Sequence, residues 1–184
     1  MKNEISIVVG SWGSYNECNS RALGSKWLKL SDYSNWKDIE KELIKQGFEL
    51  DSIDEELFIQ DVEGLPSTSC NWDYTHPKQL FELLKASGVL YNKDKYETMF
   101  AYLEVRSFTE FAELVDQRDC NWNDEINIYQ GFSWADYGRM VFDNYGYKIS
   151  EVLENFIDFA AYGRYMGDCY AEEYDDGIIE IIDR

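Results

Sequence analysis

The apolar and polar positions alternate and repeat in a way that divides the chain into short strands and amphipathic helices. Residues 5–12, ISIVVGSW, are β-branched and apolar and predict a first strand, with a turn at Gly13, Ser14 and Asn16. Residues 22–30 alternate after Gly24 and predict a second strand. Ser34 is placed to cap a helix over 35–46, with Trp36, Ile39, Leu43 and Ile44 on one face and Gly47 as its stop. A third strand is expected over 57–62.

The next segment reads as helical. Pro77 suits the first turn of a helix reaching Ala86, and Gly88 ends it. Residues 93–105 carry Tyr96, Met99, Phe100 and Leu103 at helical spacing. Their aromatic residues are expected in the core, with no partners that identify a cofactor pocket. Ser107 and Glu110 form a capping box for another helix, faced by Phe108, Phe111 and Leu114.

Residues 126–130 predict a strand, and 133–145 and 150–162 two more amphipathic helices. The first would bury Trp134, Tyr137, Val141 and Phe142. The second would bury Val152, Leu153, Phe156, Ile157 and Ala160. Asp175-Asp176-Gly177 between 169–174 and 178–182 is a hairpin signal. The expected class is α+β, an elongated chain of three small units. These are an N-terminal antiparallel sheet plus helix over 1–65, a central helical unit over 66–108, and a C-terminal sheet with helices over 109–184. YGR recurs at 137–139 and 162–164, and CNWD at 70–73 is echoed by CNWN at 120–123, repeats too short to establish a duplication.

Composition adds charge to this picture. The net charge is −19, on a chain that is 45% hydrophobic and 16% aromatic, so the acids sit on a folded surface rather than a disordered tail. Residues 109–184 hold 18 Asp and Glu against five Lys and Arg, residues 1–65 hold 13 against seven, and the middle is neutral. Such a surface repels nucleic acid and anionic membranes and attracts basic proteins. No apolar run approaches the ~20 residues of a membrane span, and MKNEISIVVG lacks a signal-peptide pattern. Cys18, Cys70, Cys120 and Cys169 are widely spaced, with no C-x-x-C pair and one histidine in the chain. They read as reduced thiols, mostly core fillers, in a cytoplasmic protein.

No motif in the chain carries specific catalytic chemistry. Glu172, Glu173, Asp175 and Asp176 flank a turn, where water prevents the separation of pKa values that an acid/base pair needs. Asp116, Asp119, Asp124 and Glu125 lack the spacing of a calcium loop. His76 precedes a helix start with no nucleophile motif, and GSWGS fits no phosphate-binding loop. The reading is non-enzymatic, with no cofactor and no metal.

The acids themselves are the candidate site. Asp54, Glu55, Glu56, Asp61 and Glu63 form a first group. Asp116, Asp119, Asp124, Glu125, Asp136 and Asp143 form a second, and Glu151, Glu154, Asp158, Glu172, Glu173, Asp175 and Asp176 a third. Duplex DNA carries one negative charge per ~1.7 Å of axis, so 19 charges match roughly 32 Å of duplex. A solvated acidic face has the same composition, as has an inhibitor or adaptor of another basic protein.

Several patches decide among these. Tyr15-Asn16-Glu17-Cys18, Arg21-Ala22-Leu23-Gly24 and Trp27-Leu28 lie near the start. EELFIQDVE at 55–63, ENFIDFAAYGR at 154–164 and Gly177-Ile178-Ile179-Glu180 follow in order. Together they resemble the ArdA antirestriction proteins of conjugative plasmids and transposons, over nearly the whole chain and least over 66–108. The resemblance implies a three-part DNA mimic that dimerises through its C-terminal part. It implies occupation of the DNA-binding groove of type I restriction-modification enzymes, blocking restriction and often methylation. The neutral middle departs from a uniform stripe of charge.

Overall fold

A run of apolar β-branched residues makes Ser6–Ser11 the central strand, β1, of a three-stranded antiparallel sheet. The computed structural model in which it lies describes residues 4–66, 72 and 75–182. The sheet order is β2-β1-β3, with β2 only Leu28–Lys29 and β3 Leu57–Glu63. The longer second strand expected over 22–30 does not form. Ser20–Leu23 instead make a 3-10 turn, capped by Asn19, and Gly24 follows at φ +79°. Ser25 then takes both polar groups of Val9: its hydroxyl accepts the Val9 N–H at 3.0 Å, and its own N–H donates to the Val9 carbonyl at 2.8 Å. The turn expected after β1 is a short helix, α1 (Trp12–Asn16), because the Ser11 hydroxyl accepts the Ser14 N–H.

Helix α2 (Trp36–Lys45) lays Trp36, Ile39 and Leu43 on the core, with Asn35 rather than Ser34 at its N-cap. Ile44 faces solvent, contrary to expectation. Helices α3 (Pro77–Ala86), α4 (Lys93–Val105) and α5 (Phe108–Arg118) follow, and α5 carries the expected capping box of Ser107 and Glu110. They join the first sheet to the second. A continuous apolar core runs from Ile5 and Ile7 through Leu43, Phe81, Met99 and Trp122 to Ile179.

The second sheet is antiparallel in the order β4-β6-β5, from Ile126–Gln130, Gly177–Ile181 and Ala171–Tyr174. Its faces serve different partners, because successive residues of a strand point opposite ways. Ile179 enters the core shared with α4 and α5. Ile178 enters a second cluster with Tyr137, Val141 and Ala171, beneath α6 (Trp134–Asn144) and α8 (Phe159–Gly167).

The single helix expected over 150–162 is broken in two. After α7 (Glu151–Glu154), Asp158 caps α8 by accepting the Ala161 N–H at 2.9 Å. The break turns Val152, Leu153 and Phe156 outward, at 70%, 59% and 82% exposure, where burial was expected. Cys18 and Cys169 are exposed free thiols rather than core fillers. Cys70 and the side chain of Cys120 lie outside the described residues. The molecule keeps 10938 Å² of accessible surface. A compact monomer of its mass would keep about 9,200 Å², so the surface is about a fifth larger than compact packing gives.

Candidate functional site: the acidic surface

The first group of acids is sorted by β3. Glu55 and Glu56 lead into the strand and are exposed, as are Asp61 and Glu63 at its far end. Val8 pairs with Asp61 while Val9 pairs with Ile59, leaving Gln60 as the extra residue of a bulge. Phe58 and Ile59 stay in the core, whereas Asp61 and Glu63, two apart, share one outward face.

Asp54 is the exception, and it is removed from the surface set. It is fully buried, in an ion pair with Arg21 Nε at 2.8 Å. Its carboxylate also accepts the Ser14 hydroxyl and the Glu49 N–H, the latter at 2.8 Å. Burial pushes its pKa up, but the Glu49 N–H, the Ser14 and Ser11 hydroxyls and the Arg21 charge outweigh it and hold the carboxyl below the usual range. Asp54 therefore ties α1, the turn at Arg21 and the loop after α2 together.

In the second group, Asp116 is exposed on α5, Asp119 stands at its C-cap with φ +53°, and Asp124 is exposed before β4. Glu125 is partly buried and paired with Arg118. Asp136 closes a capping box, accepting the Ser133 hydroxyl at 2.5 Å and the Ser133 N–H at 2.9 Å. Those two donors hold its carboxyl below the usual range. Asp143 and Glu154 share Arg139, which also lies over the Phe159 ring at 5.0 Å.

In the third group, Asp158 is the cap of α8, Glu172 is paired with Arg106, and Glu173 accepts the Trp134 indole N–H at 3.0 Å. Asp175 and Asp176 form the exposed hairpin turn. Glu151 opens α7, and its side chain lies outside the described residues. The set thus divides by environment. Glu55, Glu56, Asp61, Glu63, Asp116, Asp119, Asp124, Asp175 and Asp176 are exposed and form no ion pair among the described residues. Glu125, Asp143, Glu154 and Glu172 are each engaged by an arginine.

One acid that sequence reasoning did not single out is buried. Glu180 on β6 accepts the Tyr137 hydroxyl at 2.5 Å, the Tyr129 hydroxyl at 2.9 Å and the Asn127 amide at 3.1 Å. His76 caps α3, its Nδ1 accepting the Lys78 N–H at 3.2 Å. Among the described residues, no group of three or more His, Cys, Asp or Glu is arranged to hold a metal, and no helix is long and apolar enough to cross a membrane.

Apolar surface accompanies the charge. Tyr145, Tyr147, Ile149, Val152, Leu153 and Phe156 are all exposed within twelve residues of sequence around α7. Sequence periodicity assigns Val152, Leu153 and Phe156 to one helical face and cannot say whether that face meets the same chain or another.

No curated protein is significantly similar to the chain in sequence. The family model described as antirestriction protein (ArdA) matches residues 7–180, which takes in both sheets and every element between them. The chain belongs to the ArdA family of antirestriction proteins.

Proposed function

We propose that this antirestriction protein is a non-enzymatic mimic of duplex DNA that occupies the DNA-binding groove of type I restriction-modification enzymes. The observation that carries this reading is the set of exposed carboxylates without a counter-charge among the described residues. It extends from Glu55, Glu56, Asp61 and Glu63 at the first sheet to Asp116, Asp119, Asp124, Asp175 and Asp176 around the second. A groove lined with Lys and Arg gains affinity by neutralising phosphates. Carboxylates on a folded scaffold engage the same cations through charge-assisted hydrogen bonds. The long-range field speeds the encounter.

In this reading the protein acts in the cytoplasm as a homodimer joined near α7, neither binding nucleic acid itself nor touching a membrane. It blocks cleavage, and methylation where the same groove serves both, on behalf of an incoming mobile element.

The test is competition with duplex DNA for a purified type I methyltransferase core, with an unrelated basic DNA-binding protein run in parallel. Displacement of DNA from the first and not the second supports the reading. Equal displacement from both makes the protein a general acidic inhibitor. Changing one exposed acid to its amide is expected to alter inhibition less than about threefold, whereas changing six together should weaken it by orders of magnitude and flatten its salt dependence.

A further inference from the structure

Helix α4 crosses the face of the second sheet that carries Ile128 and leaves an open cavity of about 650 Å³ beside it. Small-molecule sites span roughly 300–1,000 Å³ and are mostly apolar with a few placed polar groups. The floor here is apolar, from Phe100 and Ala101 on α4, Ile126 and Ile128 on β4, and Tyr174 on β5. Phe100, Ile128 and Tyr174 are only partly covered by the protein itself.

The rim has one sign of charge. Asp94, Glu97 and Glu104 stand on α4, Asp175 and Asp176 stand on the hairpin turn, and among the described residues no Lys, Arg or His lines the cavity. On the helix, Asp94, Glu97, Ala101 and Glu104 fall at i, i+3, i+7 and i+10, one stripe about 15 Å long at 1.5 Å per residue.

The spacing of these acids decides the class of ligand. A bare cation needs several oxygens converging at one point, and no such group exists among the described residues. An anion is repelled. A neutral apolar ligand would cover the carboxylates without giving them a partner. A chain of methylenes interrupted by ammonium groups meets both demands, since its stems lie on apolar surface while its charges stay with the acids.

We infer that this cavity binds a linear aliphatic polyamine, with its methylene segments on Phe100, Ile128 and Tyr174 and its ammonium groups along the carboxylates of α4 and the hairpin turn.

The electrostatics agree with the geometry. Burial, then the charges of Asp175 and Asp176, push the Glu104 carboxyl above its ordinary range, against the Asp175 N–H that it accepts at 2.9 Å. Burial, then Asp176, Glu104 and Glu97, push the Tyr174 hydroxyl up to about 12. A polycation relieves this crowding of like charge. Glu97 is already met by Lys93 at 3.1 Å and Asp176 by the Gln130 amide at 2.5 Å, whereas Glu104 holds only a backbone N–H, so Asp94, Glu104 and Asp175 are the principal contacts.

The inference does not rest on DNA mimicry, and its test uses the protein alone. Spermine is titrated into the full chain by calorimetry at fixed ionic strength, with and without magnesium. One saturable equivalent per chain that survives magnesium is expected. Glu104→Gln should weaken binding by about tenfold and Asp94→Asn by about three- to fivefold, and Asp116→Asn on α5, which does not line the cavity, should leave it within about twofold. Asp94 is exposed, so its variant keeps the test valid if Glu104→Gln unfolds. Unsaturable binding, full displacement by magnesium or an equal loss in Asp116→Asn would reduce the effect to counter-ion association and overturn the assignment. A mimic that fails against restriction enzymes yet binds spermine this way leaves the inference intact.

Discussion

Gly138 of α6 and Gly163 of α8 meet backbone to backbone. A Cβ on Gly138 would stand 2.0 Å from the Phe159 carbonyl oxygen and 2.8 Å from the Gly163 nitrogen. One on Gly163 would stand 2.4 Å from the Trp134 carbonyl oxygen. The two YGR triplets are therefore the two sides of one helix crossing. The arginine after each glycine lies over a ring of the opposite helix, Arg139 over Phe159 and Arg164 over Trp134.

Alanine at either glycine should favour the isolated helix by about 1 kcal/mol, yet both obstacles are backbone atoms that no rotamer change moves aside. Overpacking of this kind costs about 1–3 kcal/mol and sometimes more, so the clash is expected to win. Gly138→Ala and Gly163→Ala should each lower the melting temperature, by roughly 4–8 °C for a net loss near 2 kcal/mol. Thermal unfolding followed by circular dichroism checks this, and an unchanged or raised melting temperature would contradict the close crossing.

Asp54 and Asp61 lie just before and within β3, and their fates should differ. Asp54→Asn removes the closer of the two carboxylates that Arg21 faces, leaving Glu49 at 3.6 Å, and turns an amide N–H toward donors in a buried site, which typically costs about 1–3 kcal/mol. Asp61→Asn sits on open surface and should change stability by less than about 0.5 kcal/mol. The Asp54 carboxyl is held below its unfolded value, so its contribution is present above the unfolded pKa near 4 and lost as pH falls through the lower folded value. Wild type should lose stability in acid through that window and Asp54→Asn should lose less, as read by urea unfolding at a series of pH values.

The strength of the local signal decided what could be read from sequence. Residues 77–86, 93–105 and 126–130 form as expected because Pro77, Gly88 and a clean 3.6- or 2-residue period act within a few positions. The break after α7 was hidden because Asp158 reads like one more acid in an apolar helix, and only its side chain in the structure shows it to be a cap. Asp54 was equally hidden. In the run Asp54-Glu55-Glu56 nothing distinguishes the first acid from the others, and its burial is set by Arg21, 33 residues earlier. Acid counts gave the sign of the surface but not which carboxylates are already spoken for by Arg106, Arg118 and Arg139.

Alkaline pH should expose the Glu180 cluster. Burial first, then the Glu180 carboxylate, pushes the Tyr129 hydroxyl up to about 12, and the same causes raise Tyr137 well above its ordinary value. An unfolded tyrosine ionises near 10, so between about 10 and 12 the unfolded chain gives up protons that the native state keeps. Stability is thus complete below 10 and falls as pH rises through that window. Glu180→Gln turns an amide N–H toward hydroxyl donors, costing about 1–3 kcal/mol at neutral pH. It also removes the repelling charge, so tyrosine ionisation followed by ultraviolet absorbance should begin at a lower pH than in the wild type.

The exposed face at α7 bears on assembly. Phe156, Val152 and Leu153 present apolar surface at 82%, 70% and 59% exposure, with Tyr145 and Tyr147 stacked at 5.7 Å nearby. An apolar patch of this kind on a highly charged chain marks an interaction site. The homodimer proposed above would bury this patch against its own copy across a twofold interface, which keeps the acidic surfaces apart. Phe156→Glu adds a charge to the centre of that face while touching none of the buried clusters. Light scattering should show the wild type at twice the chain mass and Phe156→Glu at the chain mass, with unchanged circular dichroism. A variant that stays dimeric would move the interface elsewhere, and a wild type that is monomeric at micromolar concentration would remove it.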